Sequence, residues 1–528
     1  MDRVESPWML LSAAVVGGVL AWSVLPDEKQ RAIRHLPAPA STLPILGNTL
    51  DLAKYQSHRA HDWIAEQCQL HNGKPWRLQI IGSAPMLVLS SQEHFEDVLK
   101  TQFAIFDKGA EMKMVFDDAF GDSLIASDGD VWKYQRKKIS HLFTRRSFRE
   151  TITTSIHKYI RVLGKVLDEA AANPDVPLNF GEASHQMSFD IFSEVGFGLQ
   201  TNSLERRENN LFVVGLGTLS ETFEARFQQP NFWWRLKRFF QIGNEKKMKE
   251  SVDMFHNMMD DLIYENIKMH NSPTYARSTK DVISLFMEDL DLESYATDPA
   301  KQQRDMKFLR EVGFAIIGAG KDSTATSLMW CIIMLNRHSE VEAKIRDELH
   351  EKLPKLFTDK DYVPSLDDVS LLVYTEAALR ETLRLCPIVP LNAKEANRDT
   401  TLSDGTFLKK GTRVYIPSYS LARNPNVWGP DAAEYKPDRW IEVDEATGKE
   451  KVVQVPDSKF NTFHGGPRVC PGMRFALFQL KAVLAYILSK YHLKTAKSPD
   501  EYTYAISAVL SVRGPLLVHV NESRAQSY

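Results

Sequence analysis

Near its C-terminus the chain reads Phe463-His464-Gly465-Gly466-Pro467-Arg468-Val469-Cys470-Pro471-Gly472. A cysteine between glycine-bearing turns is suited to ligating a metal as a thiolate. Such a sulfur must be held still and kept from water, yet receive hydrogen bonds. Glycines let backbone N–H groups crowd close to it. Arg468 can pair with a carboxylate, and Phe463 can pack flat against a planar ligand.

Three other places carry chemistry-bearing spacings. In Trp132-Lys133-Tyr134-Gln135-Arg136 an indole donor and a guanidinium stand one helical turn apart and can reach one anionic group. Ile316 to Thr324 (IIGAGKDST) lies in an apolar helical run from about Phe308 to Leu335. Asp322 beside the Ser323 hydroxyl is costly there unless it is used or solvated. The small Ala319 and Gly320 are expected to open this helix for a diatomic ligand and water. Glu381 and Arg384, at i and i+3 in a helical run from Tyr374 to Leu385, form an expected ion pair.

These positions need a scaffold. Residues from about 130 to 390 have mostly helical periodicity, with polar breaks near His270–Thr279 and Ser294–Arg304. Leu78–Ile81 and Met86–Leu89 flank Gly82-Ser83-Ala84-Pro85 and predict a hairpin. A second small sheet is expected from Thr401–Leu402, Thr406–Leu408 and Arg413–Ile416. The fold class is therefore mainly α with minor β-sheets, in one domain. The 528 residues, 43% hydrophobic, can bury a large core, and a net charge of −3 gives no reason to expect nucleic acid. Cys68, Cys331, Cys386 and Cys470 are far apart and form no CxxC pair, which suits a reducing compartment. Pro7 to Leu25 carries no charge, and about 19 such residues suffice to span a bilayer as a helix. Lys29, Arg31 and Arg34 follow it, which places the bulk of the chain in the cytoplasm. The prolines of Leu36 to Gly47 then favour a semi-rigid connector.

The cysteine stretch resembles the haem-binding loop of the cytochrome P-450 monooxygenases, Phe-x-x-Gly-x-Arg-x-Cys-x-Gly. Phe463, Gly466, Arg468, Cys470 and Gly472 meet every fixed position. The resemblance implies haem b (iron protoporphyrin IX) with Cys470 as its axial thiolate. It implies Trp132, Arg136 and Arg468, with Lys394 as a further candidate, as partners of the haem propionates. It makes Ala319-Gly320-Lys321-Asp322-Ser323-Thr324 the oxygen-activation pattern, with Ala319 and Gly320 beside the haem and Asp322, Ser323 and Thr324 as the catalytic group. Ser323 stands where the family has threonine. It keeps the hydroxyl and loses the methyl that limits its rotamer. Glu381, Arg384 and Arg439 match the family's structural lock beneath the haem loop. The implied organisation is a membrane anchor over 1–28, a basic, proline-rich hinge over 29–48 and a haem-binding catalytic domain over 49–528. The anchor would lie in the endoplasmic reticulum membrane, with the domain on its cytoplasmic side.

The resemblance further implies O2 and a lipophilic substrate, with electrons from an NADPH-dependent flavoprotein reductase. Lys133, Lys137, Lys138 and Arg474 are candidates for its docking face. Phe120 to Trp132, Trp428 to Trp440 and Asn461 to Gly472 are similar to plant and fungal members that hydroxylate fatty acids and alkanes at or near the chain end. Pro230 to Phe240 mixes aromatic and basic residues as a membrane-interface segment does. Ala319 offers no glutamate for the ester link to haem found in animal fatty-acid hydroxylases. Other expectations compatible with the same motifs are a sterol, terpenoid or xenobiotic substrate, or a peroxide-rearranging synthase.

Overall fold

The computed structural model describes residues 28–81, 83–144, 146–207, 211–229, 231–270, 281–291, 293–446 and 448–523. The expected membrane span from Pro7 to Leu25 lies outside them, as does nearly all of the polar break at His270–Thr279. Among the described residues no helix is long and apolar enough to cross a membrane.

Helices dominate. Those of ten residues or more are α1 (Ala60–Leu70), α2 (Ala110–Phe120), α3 (Gly129–Thr144), α4 (Arg146–Ala171), α5 (Phe180–Phe197), α6 (Leu211–Gln228), α7 (Asn231–Phe240), α8 (Asn244–His270), α9 (Pro299–Arg337), α10 (Ser339–Lys352), α11 (Val373–Leu385) and α12 (Met473–Lys490). The axis of the molecule is α9. Asp298 caps it by accepting from the Lys301 N–H at 2.9 Å, and Pro299 supplies the fixed φ of the first turn. Its start confines the polar break at Ser294–Arg304 to the residues before Pro299. Along its middle and C-terminal half nearly every side chain is buried, because α5, α8, α11 and α12 surround it. A Cβ on Gly313 or on Gly320 would collide with the rings of Phe197 and Phe192 of α5. Seven residues separate the two glycines, about two helical turns. They are two notches on one face that let α5 lie close.

The sheets sit to one side of this helical core. The main one contains β1 (Trp76–Leu78), β2 (Met86–Val88), β3 (Phe106–Asp107), β4 (Asn392–Ala396) and β5 (Arg413–Ile416), in spatial order β1-β2-β5-β4-β3. β1 and β2 form the expected hairpin, in register Trp76↔Val88 and Leu78↔Met86. The second expected sheet is only partly realised. Thr400–Thr401 pairs with Phe407–Leu408 around Asp404-Gly405, but Arg413–Ile416 leaves them and joins the main sheet, parallel to β2 and antiparallel to β4. Burial decides this: Val414 and Ile416 are fully buried among Leu87, Leu89, Phe95 and Phe106, a core that a two-stranded surface hairpin cannot offer.

Candidate active site

The loop before α12 presents Cys470. Its N–H donates to the Phe463 carbonyl at 2.8 Å, closing the loop on itself. Gly466 has φ +59°, and a Cβ there would collide with the Leu99 carbonyl oxygen. Only glycine fits this approach. The N–H groups of Gly472 and Met473 donate to the Cys470 sulfur, and the Arg136 guanidinium lies close enough to act on it. The sulfur also precedes the N-terminus of α12, the positive end of that helix. Burial nevertheless dominates and pushes the Cys470 thiol above its ordinary range. A thiolate at this position therefore calls for a cation bound to it, which fits a metal ligand better than a free nucleophile.

Beside the loop lies a cluster of buried cations. Arg468 is paired with Asp128 at 2.6 Å and stacks over Trp132 at 4.5 Å, while Trp132 packs on Phe103 at 5.6 Å. Lys394 of β4 is 2% exposed, and burial followed by the charges of Lys108 and Arg468 drives its ammonium well below the ordinary lysine range. Burial, with Arg468 adding to it, holds Lys108 down to about 8. Burial and the same cations keep His464 far below the ordinary imidazole range, hence neutral. Lys394 Nζ, Arg468 Nε and His464 Nε2 are all buried without a hydrogen-bond partner. Orphaned donors of this kind are rare in native interiors. Three cations facing essentially Asp128 and Asp107 suit a doubly anionic ligand, as the two propionates of a haem are. The residues present fit that group.

On α9 the expected residues divide between faces. Ala319 is exposed in the middle of an otherwise buried helix, and Ser323, one turn on, is half-buried on the same face. The Ser323 hydroxyl donates to the Ala319 carbonyl at 2.7 Å. Asp322 is turned elsewhere, since consecutive helical residues do not share a face. Its Oδ1 accepts from Lys321 Nζ at 2.7 Å and lies 3.3 Å from His185 Nδ1 of α5. Burial alone would raise Asp322. The Lys321 and His185 charges outweigh it and hold the carboxyl well below the ordinary range. Gly320 is spent on the contact with Phe192 rather than on opening the helix. Thr324 is buried, 2% exposed. The Asp322/Ser323 pair is thus adjacent in sequence and not joined by a hydrogen bond.

An apolar wall meets α9 at Gly318, next to Ala319. Phe120 rests on Gly318, where a Cβ would meet its ring at 3.3 Å. Phe120 packs edge-on against Phe314 at 5.0 Å and stacks with Phe223 at 5.6 Å, and Phe116 closes the group at 5.1 Å from Phe223. The lock beneath the loop is complete. The Glu381 carboxylate, fully buried, accepts from Arg384 Nε and Nη2 (2.7 and 2.8 Å), Arg439 Nε (2.9 Å), the Lys436 N–H (2.8 Å) and Trp440 Nε1 (2.9 Å). Thr462, in the approach to the cysteine loop, hangs from the Leu383 carbonyl of the same helix at 2.9 Å. Of the basic residues expected on a docking face, Lys133, Lys137 and Arg474 are exposed. Lys138 is bound to Asp289 at 2.6 Å and to the Leu285 carbonyl.

Sequence reasoning missed Lys108, His464 and His185. His464 stood inside the cysteine motif and was readable as a polar group forced next to the ligand. Nothing in the sequence marks Lys108 or His185, because each acquires its partner from a distant segment.

The model of the family described as Cytochrome P450 matches residues 37–518. The chain is 29% identical over 451 residues to cytochrome P450 94A1 of Vicia sativa, covering 85% of this chain and 83% of that protein. It is 28% identical over 486 residues to cytochrome P450 94B1 of Arabidopsis thaliana, covering 92% and 91%. Alkane hydroxylase MAH1 of Arabidopsis thaliana is 29% identical over 449 residues, covering 83% and 85%.

Proposed function

The chain belongs to the cytochrome P450 family, a family of haem-thiolate monooxygenases that take electrons from a redox partner, and from that premise we propose that it hydroxylates a linear aliphatic chain, a fatty acid or alkane, at or near its end. The observation that carries the substrate class is the wall of Phe116, Phe120, Phe223 and Phe314 that meets α9 at Gly318, the neighbour of Ala319. It offers apolar contact and no charged group. The likeness to an alkane hydroxylase supports the same reading.

In this reading Cys470 is the iron ligand of a non-covalent haem b. Trp132, Arg136 and Arg468, joined by Lys108 and Lys394, hold its propionates. Phe463, Gly466 and Gly472 shape the loop, and Ala319 would border the group from α9 while Gly320 beside it holds α5 close. When bound, the haem-thiolate supplies O2 activation and insertion of one oxygen atom into a C–H bond, consuming two electrons and two protons. The protein orients the substrate and excludes water. Ser323 is the hydroxyl facing the reacting side, and its bond to the Ala319 carbonyl leaves its oxygen free to accept from water. Asp322 is the acid that brings protons to the helix, and Thr324 supports them from within the core. The domains are an anchor over 1–28, a hinge over 29–48 and a catalytic body over 49–528 on the cytoplasmic face of the endoplasmic reticulum. The reductase docks by Lys133, Lys137 and Arg474. The exposed Phe232, Trp233, Leu236, Phe239 and Phe240 of α7, with Arg235, Lys237 and Arg238 among them, suit contact with a lipid surface.

The test is optical. Ferric protein is titrated with fatty acids, alkanes, sterols and small aromatics, and the Soret band is followed for a low-spin to high-spin shift. A shift confined to long-chain acids or alkanes supports the assignment. A shift only with sterols or aromatics refutes the aliphatic substrate.

A further inference from the structure

His185 of α5 makes an ionic contact with Asp322 of the oxygen-activation helix. Its Nδ1 is buried, accepts or donates no hydrogen bond of good alignment, and has Asp322 Oδ1 at 3.3 Å. The side chain as a whole is 31% exposed. The exposed part of the ring borders a partly open cavity of about 170 Å3 between α5, α9 and the C-terminal segment, walled by Asn179, Glu182, Thr326, Met329, Ser511 and Leu516. The imidazole thus bridges a polar, water-sized space and a carboxylate on the core helix. A ring of α5 fixes this relation. Phe192, two turns from His185, sits in the notch at Gly320, so α5 cannot slide along α9 without a clash.

We propose that His185 is the proton-entry residue of this enzyme, passing protons from the cavity through its ring to Asp322. Cavity water protonates Nε2, Nδ1 passes its own proton to Asp322 Oδ1, and a flip of the ring, which exchanges the two nitrogens, resets it for the next proton. Asp322 then turns from Lys321 and His185 toward the Ser323 face and gives the proton up there. His185 touches no reacting atom and acts through Asp322, so it is a positioning and relay residue. The charged groups facing the pair are Lys321 from α9 and Glu182 from α5 itself. Glu182 is engaged by Asn179 at 3.2 Å and by Gln186 at 3.4 Å. The C-terminal segment brings no charged side chain to the cavity wall. Lys321 is the competing donor, and it is buried, 4% exposed, with no route to the cavity in evidence.

The inference rests on the monooxygenase reading and is tested beside it. His185→Gln keeps the size and polarity of the ring and cannot carry a proton. Holoprotein content, from the carbon monoxide difference spectrum, and the Soret titration should match the wild type. In reductase-supported turnover the ratio of product to NADPH should fall about tenfold, with peroxide released instead. That is less than the ~10²–10⁴ of a general acid, because water reaches the helix by other ways. Peroxide-driven turnover should be unchanged. Coupling that stays at the wild-type level in His185→Gln and falls in Lys321→Met overturns the assignment. A second readout needs no turnover: deuterium exchange at the His185 ring C2–H, followed by mass spectrometry on resting protein, should respond to Asp322→Asn. No response breaks the link between the two residues and refutes the relay. If wild type makes no product from any substrate, the hydroxylase reading fails, while the exchange measurement still decides the relay's first step.

Discussion

Lys394 gives an unusual handle on cofactor binding because its replacement should move two quantities in opposite directions. Its ammonium is 2% exposed, has no acceptor, and lies near Lys108 and Arg468. An unsatisfied buried polar group costs about 1–3 kcal/mol, and a hydrogen bond to a charged partner contributes about 1.5–3 kcal/mol. Lys394→Met keeps the length and removes the charge. In the cofactor-free protein it should therefore stabilise by about 1–3 kcal/mol. An unfolding entropy of about 2.1 cal/mol/K per residue gives roughly 1 kcal/mol/K for a chain of this length, so Tm should rise by ~1–3 °C. In the loaded protein the lost propionate contact should speed haem release by ~10–150-fold, at about 1.4 kcal/mol per factor of ten. The assays are thermal unfolding of haem-extracted protein and haem transfer to apomyoglobin. The pH dependence has a definite sign. A lysine depressed in the folded state binds fewer protons than in the unfolded chain, so stability of the extracted protein rises with pH up to the ordinary lysine range. Lys108, at about 8, maintains part of that slope, and Lys394→Met should remove the part due to Lys394. Extracted Lys394→Met that melts lower than wild type, with haem release unchanged, would refute the anion-site reasoning. The exposed Lys268→Met is the control.

Glu381→Ala leaves two buried guanidiniums without their carboxylate and should cost about 3–5 kcal/mol, read as a Tm lower by ~3–5 °C on the scale above; Glu265→Ala, from an exposed pair, should cost almost nothing. Charge reversal at Lys133 and Lys137 should weaken reductase-supported turnover, most at low salt, and leave peroxide-driven turnover unaltered; equal losses in both would remove these residues from the docking face. Ser323→Ala should raise peroxide release at the expense of product. If both stay at wild-type levels, Ser323 has no part in proton delivery and Thr324 becomes the residue to test.

The parts of this molecule that were legible in the sequence are those whose constraint is local. The cysteine loop is one: Gly466 must be glycine because of its positive φ and the carbonyl pressed against it, and Cys470 and Gly472 are separated by a single residue. The β1/β2 hairpin is another, with its turn residues between two apolar runs. The fate of Arg413–Ile416 was not legible, because one of its two partners is a strand more than three hundred residues earlier and only burial chooses between the two sheets. Among the cations near the haem loop, Arg468 was legible within the motif and Lys394 through the resemblance, but Lys108 comes from a segment that no spacing connects to them and is unremarkable alone.

The core helix shows why a motif read as a string misplaces chemistry. In IIGAGKDST every residue seems to belong to one site. At 100° per residue, Ala319 and Ser323 share one face, and Gly320 and Asp322 stand on its two flanks, Gly320 against Phe192 and Asp322 against His185 of α5. Small residues on the two faces therefore have different causes. Gly320 is small because Phe192 occupies its place, and Ala319 is small on the face where a ligand would lie. An alanine at 320 should disturb the packing of α5 and with it the His185–Asp322 contact. A serine at 319 should leave that packing intact and alter only what binds beside it. Stability would separate the first from the wild type, and the Soret titration the second. A Gly320→Ala variant as stable as wild type would mean that α5 is free to move along α9, and the fixed 3.3 Å approach of His185 would lose its basis.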